Sequence, residues 1–342
     1  MNDLVKEKCG LLEKNRAKLS KEHPLENDLM LVVEGLLFTA AGKEVDTEKM
    51  AECRKILKSQ TGFFSNMRAE TELVITSKMS LSEDPEQYFH DLQTICEKAQ
   101  EAKFKNNSYL ILSGLLICDL GMQGDADVII AKAKEIMDRM EQEHPILTSS
   151  GDTSYVMLLA LSYKDVDTIL KDLEEGYEYL KSTYKMGVDS NAIQGLCEVL
   201  AVTYGDMKSK CDRAARISAE FKKRKSSYNE DQAFSALGAL VDIDLSPEEI
   251  VTEIIEVADY LKEKKVFTDK DISNKQRLMY SIFLVADACG KDTDVISNPV
   301  ISNTISILTT RKVIQAISVA VQIALNVAPA VTEVVSSNTS GK

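Results

Sequence analysis

The sequence predicts an all-α fold built from about six helical hairpins that repeat roughly every 40 residues. Two observations support this fold class. Apolar residues recur at the i, i+3, i+4, i+7 spacing of helices, and no strand-like alternation of useful length is present. In addition, residues that commonly begin helices recur at regular intervals along the chain.

The clearest hairpin lies between Asp152 and Tyr184. Its first helix, near 152–162, is apolar on most sides, and its second helix, near 166–184, carries one apolar stripe. Asp165 precedes the second helix and is a good N-cap, because its carboxylate can accept a backbone N–H of the first turn. The stripe consists of Val166, Ile169, Leu170, Leu173, Tyr177, Leu180 and Tyr184.

Six possible N-caps mark the second helices of successive hairpins, at intervals of 38 to 41 residues: Asp46, Asp84, Asp125, Asp165, Asp206 and Ser246. Asp84 and Ser246 are each followed by Pro, and Gln87 or Glu249 then stands at the third helical position. This pattern predicts a reciprocal capping box. Asn229 and Ser273 have no Pro after them, but Gln232 and Gln276 stand at the third helical position, so capping boxes are also predicted before two first helices.

Apolar residues also follow several predicted helix ends. An opening helix over 2–20 ends before His23-Pro24, because proline disfavours helix at the residue before it. Further along, Phe63, Phe104, Ile146 and Phe267 each lie just past a helix end. We expect them to seal one hairpin against the next.

The period predicts an α-solenoid or α/α superhelix over residues 1–290, with a closed helical ring as the architectural alternative. After Gly290 the composition shifts toward Ser, Thr, Asn, Val, Ile and Ala. We expect residues 291–335 to form an apolar helical segment that packs on the array, and residues 336–342 to be a disordered tail.

Residues 313–335 are long enough to cross a bilayer, which needs about 20 apolar residues. Gln315, Gln322, Asn326 and Glu333 interrupt the stretch, and polar groups are costly in lipid. We therefore favour a helix over 305–327 that covers the last apolar face of the array. A membrane-associated scaffold is the alternative.

Several short segments together resemble a bacterial family known as domain-of-unknown-function family 4003, over roughly residues 22–335. The family implies an intracellular helical protein of bacterial origin, and it implies no activity and no catalytic residues. The segments are Leu36-Leu37-Phe38-Thr39, Thr61-Gly62-Phe63-Phe64-Ser65, Glu143-His144-Pro145-Ile146-Leu147-Thr148-Ser149, Leu159-Ala160-Leu161-Ser162 and Lys275-Gln276-Arg277-Leu278-Met279.

Charge and composition narrow the possible partners. The formal net charge of −13 repels nucleic acid and anionic lipid, so we expect no nucleic-acid partner. The seven cysteines are scattered and do not predict a disulfide framework, and the first residues do not resemble a signal peptide. We therefore expect a cytoplasmic protein.

The joint between His144 and Asp152 is the one candidate site, because it combines an imidazole, several hydroxyls and a carboxylate. His144, Thr148, Ser149 and Asp152 would line a groove between hairpins. A similar pattern at 23–28 favours ordinary helix capping instead. The three histidines have no partner at metal-ligand spacing, and no glycine-rich phosphate loop is present, so we expect no metal, cofactor or catalytic residue.

The preferred interpretation is a helical-repeat scaffold that binds a protein or peptide. The alternative is an enzyme with an acidic site inside a closed helical ring. Acidic pairs such as Glu174-Glu175 and Glu248-Glu249 could serve glycosidase-type chemistry. The chain has no Trp to form a sugar platform, however, and a solvated helix face explains such pairs more simply.

Overall fold

The computed structural model describes residues 1–63, 65–68, 70–184, 188–202, 205–228, 230–268, 270, 272–290, 304–312 and 314. Within these residues every regular element is helical and no strand occurs, which confirms the predicted all-α class. The α-helices are α1 Asp3–Glu22, α2 Asp28–Ala40, α3 Thr47–Gln60, α4 Glu72–Leu81, α5 Pro85–Glu101, α6 Ser108–Asp119, α7 Ala126–Glu143, α8 Thr153–Ala160, α9 Val166–Thr183, α10 Ser190–Val202, α11 Met207–Lys223, α12 Glu230–Ala233, α13 Pro247–Lys262, α14 Asn274–Cys289 and α15 304–312. The 3₁₀ segments are Asn66–Arg68, Gln123–Asp125, Ser150–Asp152, Phe234–Leu240 and Lys265–Phe267.

Most of the predicted N-caps begin helices through their own side chains. Asp46, Asp84, Asp165 and Asp206 each accept the backbone N–H three residues later, at the starts of α3, α5, α9 and α11. Ser246 forms a complete capping box with Glu249 at the start of α13. These bonds satisfy N–H groups that have no partner inside the helix, which fixes where each helix begins.

Two of the predicted starts differ in detail. Asp125 immediately precedes α7, but its side chain makes no capping bond, because it closes a 3₁₀ turn rather than an extended entry. At Asp84 the box is not reciprocal, since the Gln87 amide donates to Asp91 instead. The Ser273 box before α14 is confirmed, whereas Asn229 lies outside the described residues.

Burial divides the helices into two kinds. In α2, residues 29–39 are all buried, and α8 is buried throughout. In contrast, α9 buries one stripe that includes Ile169, Leu173 and Leu180. The buried series comprises α2, α4, α6, α8, α10, the 3₁₀ segment Phe234–Leu240 and α14, and the half-exposed series comprises α1, α3, α5, α7, α9, α11 and α13.

Contacts follow the order of each series and return to its first member. Each half-exposed helix packs against the next buried element in the chain, from α1 with α2 to α13 with α14. Consecutive members of each series also touch, α14 contacts α2, and α13 contacts α1. The N-terminal helix therefore packs on the helices near residue 290, which is a contact expected of the closed alternative.

The predicted stripe of α9 faces the core. Ile169, Leu170, Leu173 and Leu180 are buried, and Val166, Tyr177 and Tyr184 are partly buried against the core. Four leucines on other elements are buried as well: Leu158, Leu159, Leu237 and Leu261. The predicted sealing contacts are confirmed only in part. Phe104 and Phe267 are buried, but Phe63 and Ile146 are 78% and 94% exposed, because their loops turn outward.

Helix α15 is buried and contacts several members of the buried series. Its residues 304–311 are buried, and the hydroxyl of Thr310 lies 3.1 Å from the hydroxyl of Tyr280 on α14. The rest of the segment 291–342, apart from Ile314, lies outside the described residues. The division at residue 290, the tail at 336–342 and the predicted helix beyond residue 312 therefore stay predictions.

Candidate functional site

The last described residues of α15 contact several members of the buried series. Thr310 reaches Tyr280 on α14, Arg311 reaches Glu70 just before α4, and Lys312 reaches Tyr155 on α8. Because these contacts come from different members of the buried series, this part of α15 lies among them. We call the polar side chains gathered there the axial cluster, which consists of Asp152, Tyr155, Glu198, Arg311 and Lys312.

Arg311 is the most buried cation of the axial cluster, with 4% of its surface exposed. Its Nη2 donates to Glu70, whose side chain is largely exposed, and its guanidinium lies 5.9 Å from the ring centroid of Tyr109. Its Nε and Nη1 are buried and have no acceptor among the residues that the structure describes. Part of the hydrogen-bonding capacity of this guanidinium is therefore unused.

Lys312 supplies the second cation. Its Nζ lies 5.0 Å from the ring centroid of Tyr155, on the face where cations are attracted to aromatic rings. The nearby Tyr155 raises the pKa of Lys312, and the carboxyl groups of Glu198 and Asp152 act in the same direction. Lys312 therefore remains protonated at neutral pH.

Glu198 and Tyr155 face this ammonium from two buried helices. The amide of Gln194 donates to a carboxylate oxygen of Glu198 at 3.2 Å, and burial raises the pKa of Glu198 well above its ordinary value. The hydroxyl of Tyr155 donates to Ser235 Oγ at 3.1 Å. Glu198 Oε2, in contrast, is buried and has no hydrogen-bond partner among the described residues.

A polar cleft opens beside Lys312. It is lined by the first turn of α10, the turn before it and the segment around Phe234. Two carboxylates contribute to this lining, Asp189 and Asp231. The cleft could bind a polar group at the end of the buried series, and Lys312 lies on its wall.

The structure divides the four predicted groove residues between two places. His144 ends α7, and its Nε2 lies 2.7 Å from Glu174 Oε2 on α9. Thr148 lines the same small, mostly apolar cleft as His144, together with Tyr177, and within the described part of the chain its buried Oγ1 has no partner. These two residues are therefore brought together.

Ser149 and Asp152 instead form a capping box at a 3₁₀ turn that leads into α8. The backbone N–H of Ser149 donates to Asp152 Oδ2 at 2.7 Å, and burial raises the pKa of Asp152 above its ordinary value. Lys312 stabilises the ionised form of this carboxyl. Asp152 thus belongs to the axial cluster rather than to the His144 cleft.

Sequence reasoning missed Arg311, Lys312, Glu198 and Glu70 as possible site residues. A usable signal existed for two of them, since Arg311 and Lys312 form a basic pair directly after a stretch of apolar and hydroxyl side chains. Glu198 also stands alone in an apolar helix, where a carboxylate needs an explanation. No neighbouring residue in the sequence identifies Glu70 as a site residue, because its partner Arg311 is 241 residues away.

Other candidate features can be reported for the described part of the chain. There, no three His, Cys, Asp or Glu side chains are arranged to hold a metal ion. All seven cysteines are free thiols, and six of them are buried. No helix within these ranges combines the length and the apolar character that crossing a bilayer requires.

Comparison with known proteins gives a family and no closer relative. Neither a curated protein nor a solved structure matches the chain. A family model described as a protein of unknown function, DUF4003, matches residues 15–317. This match covers most of the helices described above and includes α15. The chain therefore belongs to the DUF4003 family.

Proposed function

We propose that this protein is a peptide-binding scaffold in which repeated helical hairpins form a closed ring around a short helix. In this proposal α15 is the chain's own occupant of a site that a partner peptide can enter. The observation that carries it is the position of α15, whose last residues touch α14, α8 and the start of α4. A surface that already holds one peptide helix can hold another of similar chemistry.

The pairing of helices supports the ring. Each half-exposed helix packs on the following buried element, and both series return to their first members. In such a ring, each hairpin covers the apolar face of its neighbour, so no terminal cap is needed. The cap residues from Asp46 to Ser246 recur about every 40 residues, as expected for one hairpin per unit.

The side chains of α15 indicate which kind of partner peptide the site would bind. The helix has apolar and hydroxyl side chains, followed by Arg311 and Lys312. The helices that contact α15 present apolar side chains to it. Carboxylates such as Glu70 and Asp152 lie near Arg311 and Lys312. A partner should therefore be a short apolar helix that ends in two cations.

The α15 segment competes with any such partner. A segment linked to its own site acts at an effective concentration on the order of millimolar. A free peptide at micromolar concentration should therefore bind the wild-type chain weakly. Weakening α15 in place should expose the site without altering the helices that form it.

The test uses a fluorescent synthetic peptide with the sequence of residues 303–316 and the full-length protein. In the protein, Arg311→Glu with Lys312→Glu should repel α15 from the nearby carboxylates. We expect fluorescence anisotropy to show at least about tenfold tighter peptide binding to this variant than to wild type, since the competing occupant is lost. Circular dichroism would establish that the variant keeps its helical content.

The matched control is a peptide that carries the same two charge reversals, which should bind neither protein. A second control protein, Lys181→Glu, changes an exposed charge outside the axial cluster and should behave as wild type. Equal binding of both peptides, or no binding of either peptide to any variant, would contradict the proposal.

An enzyme with an acidic site in the ring is the second candidate. The polar cleft lined by Asp189, Asp231 and Lys312 favours it, because two carboxylates and a cation that line one cleft can support acid–base chemistry. Asp189→Asn and Asp231→Asn distinguish the two functions. A scaffold should keep its peptide affinity in both variants, whereas an enzyme should lose turnover of any substrate found by screening.

A further inference from the structure

A second cleft lies beside Arg311 and shares no lining residue with the Asp189 cleft. It is bounded by the first turn of α2 and the residues before it, by the turn before α4, and by Arg311 and Ile314. Its lining residues are Glu26, Asn27, Met30, Glu70, Arg311 and Ile314. We call it the Arg311 cleft, and Arg311 is the only cation among these lining residues.

The guanidinium on this cleft lacks hydrogen-bond acceptors. One nitrogen of Arg311 donates to Glu70, but Nε and Nη1 have no acceptor among the described residues. Arg311 is also 96% buried, so bulk water does not replace the missing partners. Buried charged donors are normally paired, and an unpaired one indicates a missing acceptor.

We propose that the Arg311 cleft binds the carboxylate of a small ligand or peptide terminus, which supplies acceptors to this guanidinium. Glu70 already shows that a carboxylate reaches Arg311, and its mostly exposed side chain can move aside. Carboxylates match the planar guanidinium well. Glu26 and Glu70 on the lining repel a dianion more strongly than a monoanion, which favours a carboxylate over phosphate.

This site does not depend on the proposed peptide scaffold, because the carboxylate binds while α15 is in place. If the scaffold proposal also holds, the two sites are coupled. A carboxylate on Arg311 stabilises the conformation in which α15 fills the ring, so it should weaken the binding of a partner peptide. By reciprocity, the bound peptide should weaken the binding of the carboxylate by the same factor.

The probe is N-acetylglycine, which carries one carboxylate, and the matched control ligand is N-acetylglycinamide, which carries none. The full-length protein is labelled with ¹⁵N-arginine, and the Nε–H resonances are followed during titration at constant ionic strength. The Arg311 resonance is identified by its absence in Arg311→Gln. We expect a saturable shift with the acid and none with the amide, because only the acid offers a charged acceptor.

Three variants make the test specific, with binding followed by isothermal titration calorimetry as well. Arg311→Gln should weaken acid binding by about tenfold or more, the usual scale for losing a charge-assisted hydrogen bond. Glu70→Gln should strengthen it several-fold, since the competing carboxylate is lost. Arg139→Gln removes another carboxylate-paired arginine, on α7, and should change nothing.

Several results would overturn the proposal. One is an equal response to acid and amide, and another is unchanged acid binding in Arg311→Gln. Because Arg311→Gln could affect folding, Glu70→Gln provides an independent result, and weaker or unchanged acid binding there would also contradict the site. Tighter binding of inorganic phosphate than of N-acetylglycine would overturn the carboxylate assignment. None of these outcomes depends on whether the partner peptide binds.

Discussion

The hydroxyl of Tyr280 on α14 donates to the backbone carbonyl oxygen of Leu29 on α2, at 3.1 Å. These two residues are 251 positions apart in the chain. The same hydroxyl also lies 3.1 Å from Thr310 Oγ1 on α15. One buried side chain therefore joins the first and the last helices of the buried series to α15.

Replacing this hydroxyl tests the junction. Tyr280→Phe should lower the free energy of unfolding by about 1–2 kcal/mol, because it removes a buried hydrogen bond and leaves the Thr310 hydroxyl with one partner fewer. Urea denaturation followed by circular dichroism measures the change. Tyr163→Phe is the matched control, since Tyr163 is 70% exposed and its removal should have little effect. Equal changes in the two variants would show that the junction contributes nothing.

Helix capping gives a prediction with an internal control. Asp165→Ala should destabilise the protein by about 1 kcal/mol, because the side chain accepts the Thr168 N–H at the start of α9. Asp125→Ala should have a much smaller effect, since Asp125 precedes α7 without a side-chain capping bond. Thermal and urea denaturation of both variants would check this order. A larger loss at Asp125 would contradict the assigned role of the caps.

The buried stripe of α9 predicts a larger effect. Leu173→Ala should cost about 2–5 kcal/mol through lost burial and the cavity that remains. Leu173 packs in the main core, whereas Leu25 is 99% exposed and provides the control. Chemical denaturation should therefore show a marked loss for Leu173→Ala and almost none for Leu25→Ala. A near-zero effect at Leu173 would mean that the stripe is not a packing surface.

Glu34 on α2 predicts a dependence of stability on pH. This carboxyl is fully buried, and burial raises its pKa to about 8 from an ordinary value of 4.5. Below about pH 4.5 the carboxyl is protonated in both states, and its contribution to stability is complete. As the pH rises toward 8, the unfolded chain releases this proton and the folded chain keeps it, so that contribution is lost progressively.

Glu34→Gln removes this titration. The difference in unfolding free energy between Glu34→Gln and wild type should therefore shift in favour of the variant, by at most about 1.4 kcal/mol per pH unit between pH 4.5 and 8. Urea denaturation at several pH values measures this difference. Glu52→Gln, at an exposed position of α3, is the control. A difference that is constant over this range would disprove the assigned pKa.

Features that depend on neighbouring residues could be predicted from the sequence. The cap at Asp165 involves a hydrogen bond over three residues, and the stripe through Leu173 follows from helical periodicity alone. The same local rules did not predict that the side chains of Phe63 and Ile146 are exposed. Their exposure depends on the direction in which each loop leaves its helix, which no short pattern specifies.

The candidate site was predictable only in part for the same reason. His144 and Thr148 do line one cleft, as residues four apart can. Asp152 points to the axial cluster, because a 3₁₀ turn separates it from them and its neighbours there come from α10 and α15. The pairing of Arg311 with Glu70 spans 241 residues, so a single sequence gives no indication of it.

The contact between α1 and both α13 and α14 also limits how such a chain can change in length. An open stack of repeats can gain or lose a unit at either end, and its remaining units stay paired. Here, duplicating or deleting one pair of helices would separate surfaces that now meet, or force every neighbouring pair to change its crossing angle. We therefore expect natural variation in length to occur within the connecting loops rather than in the number of helix pairs.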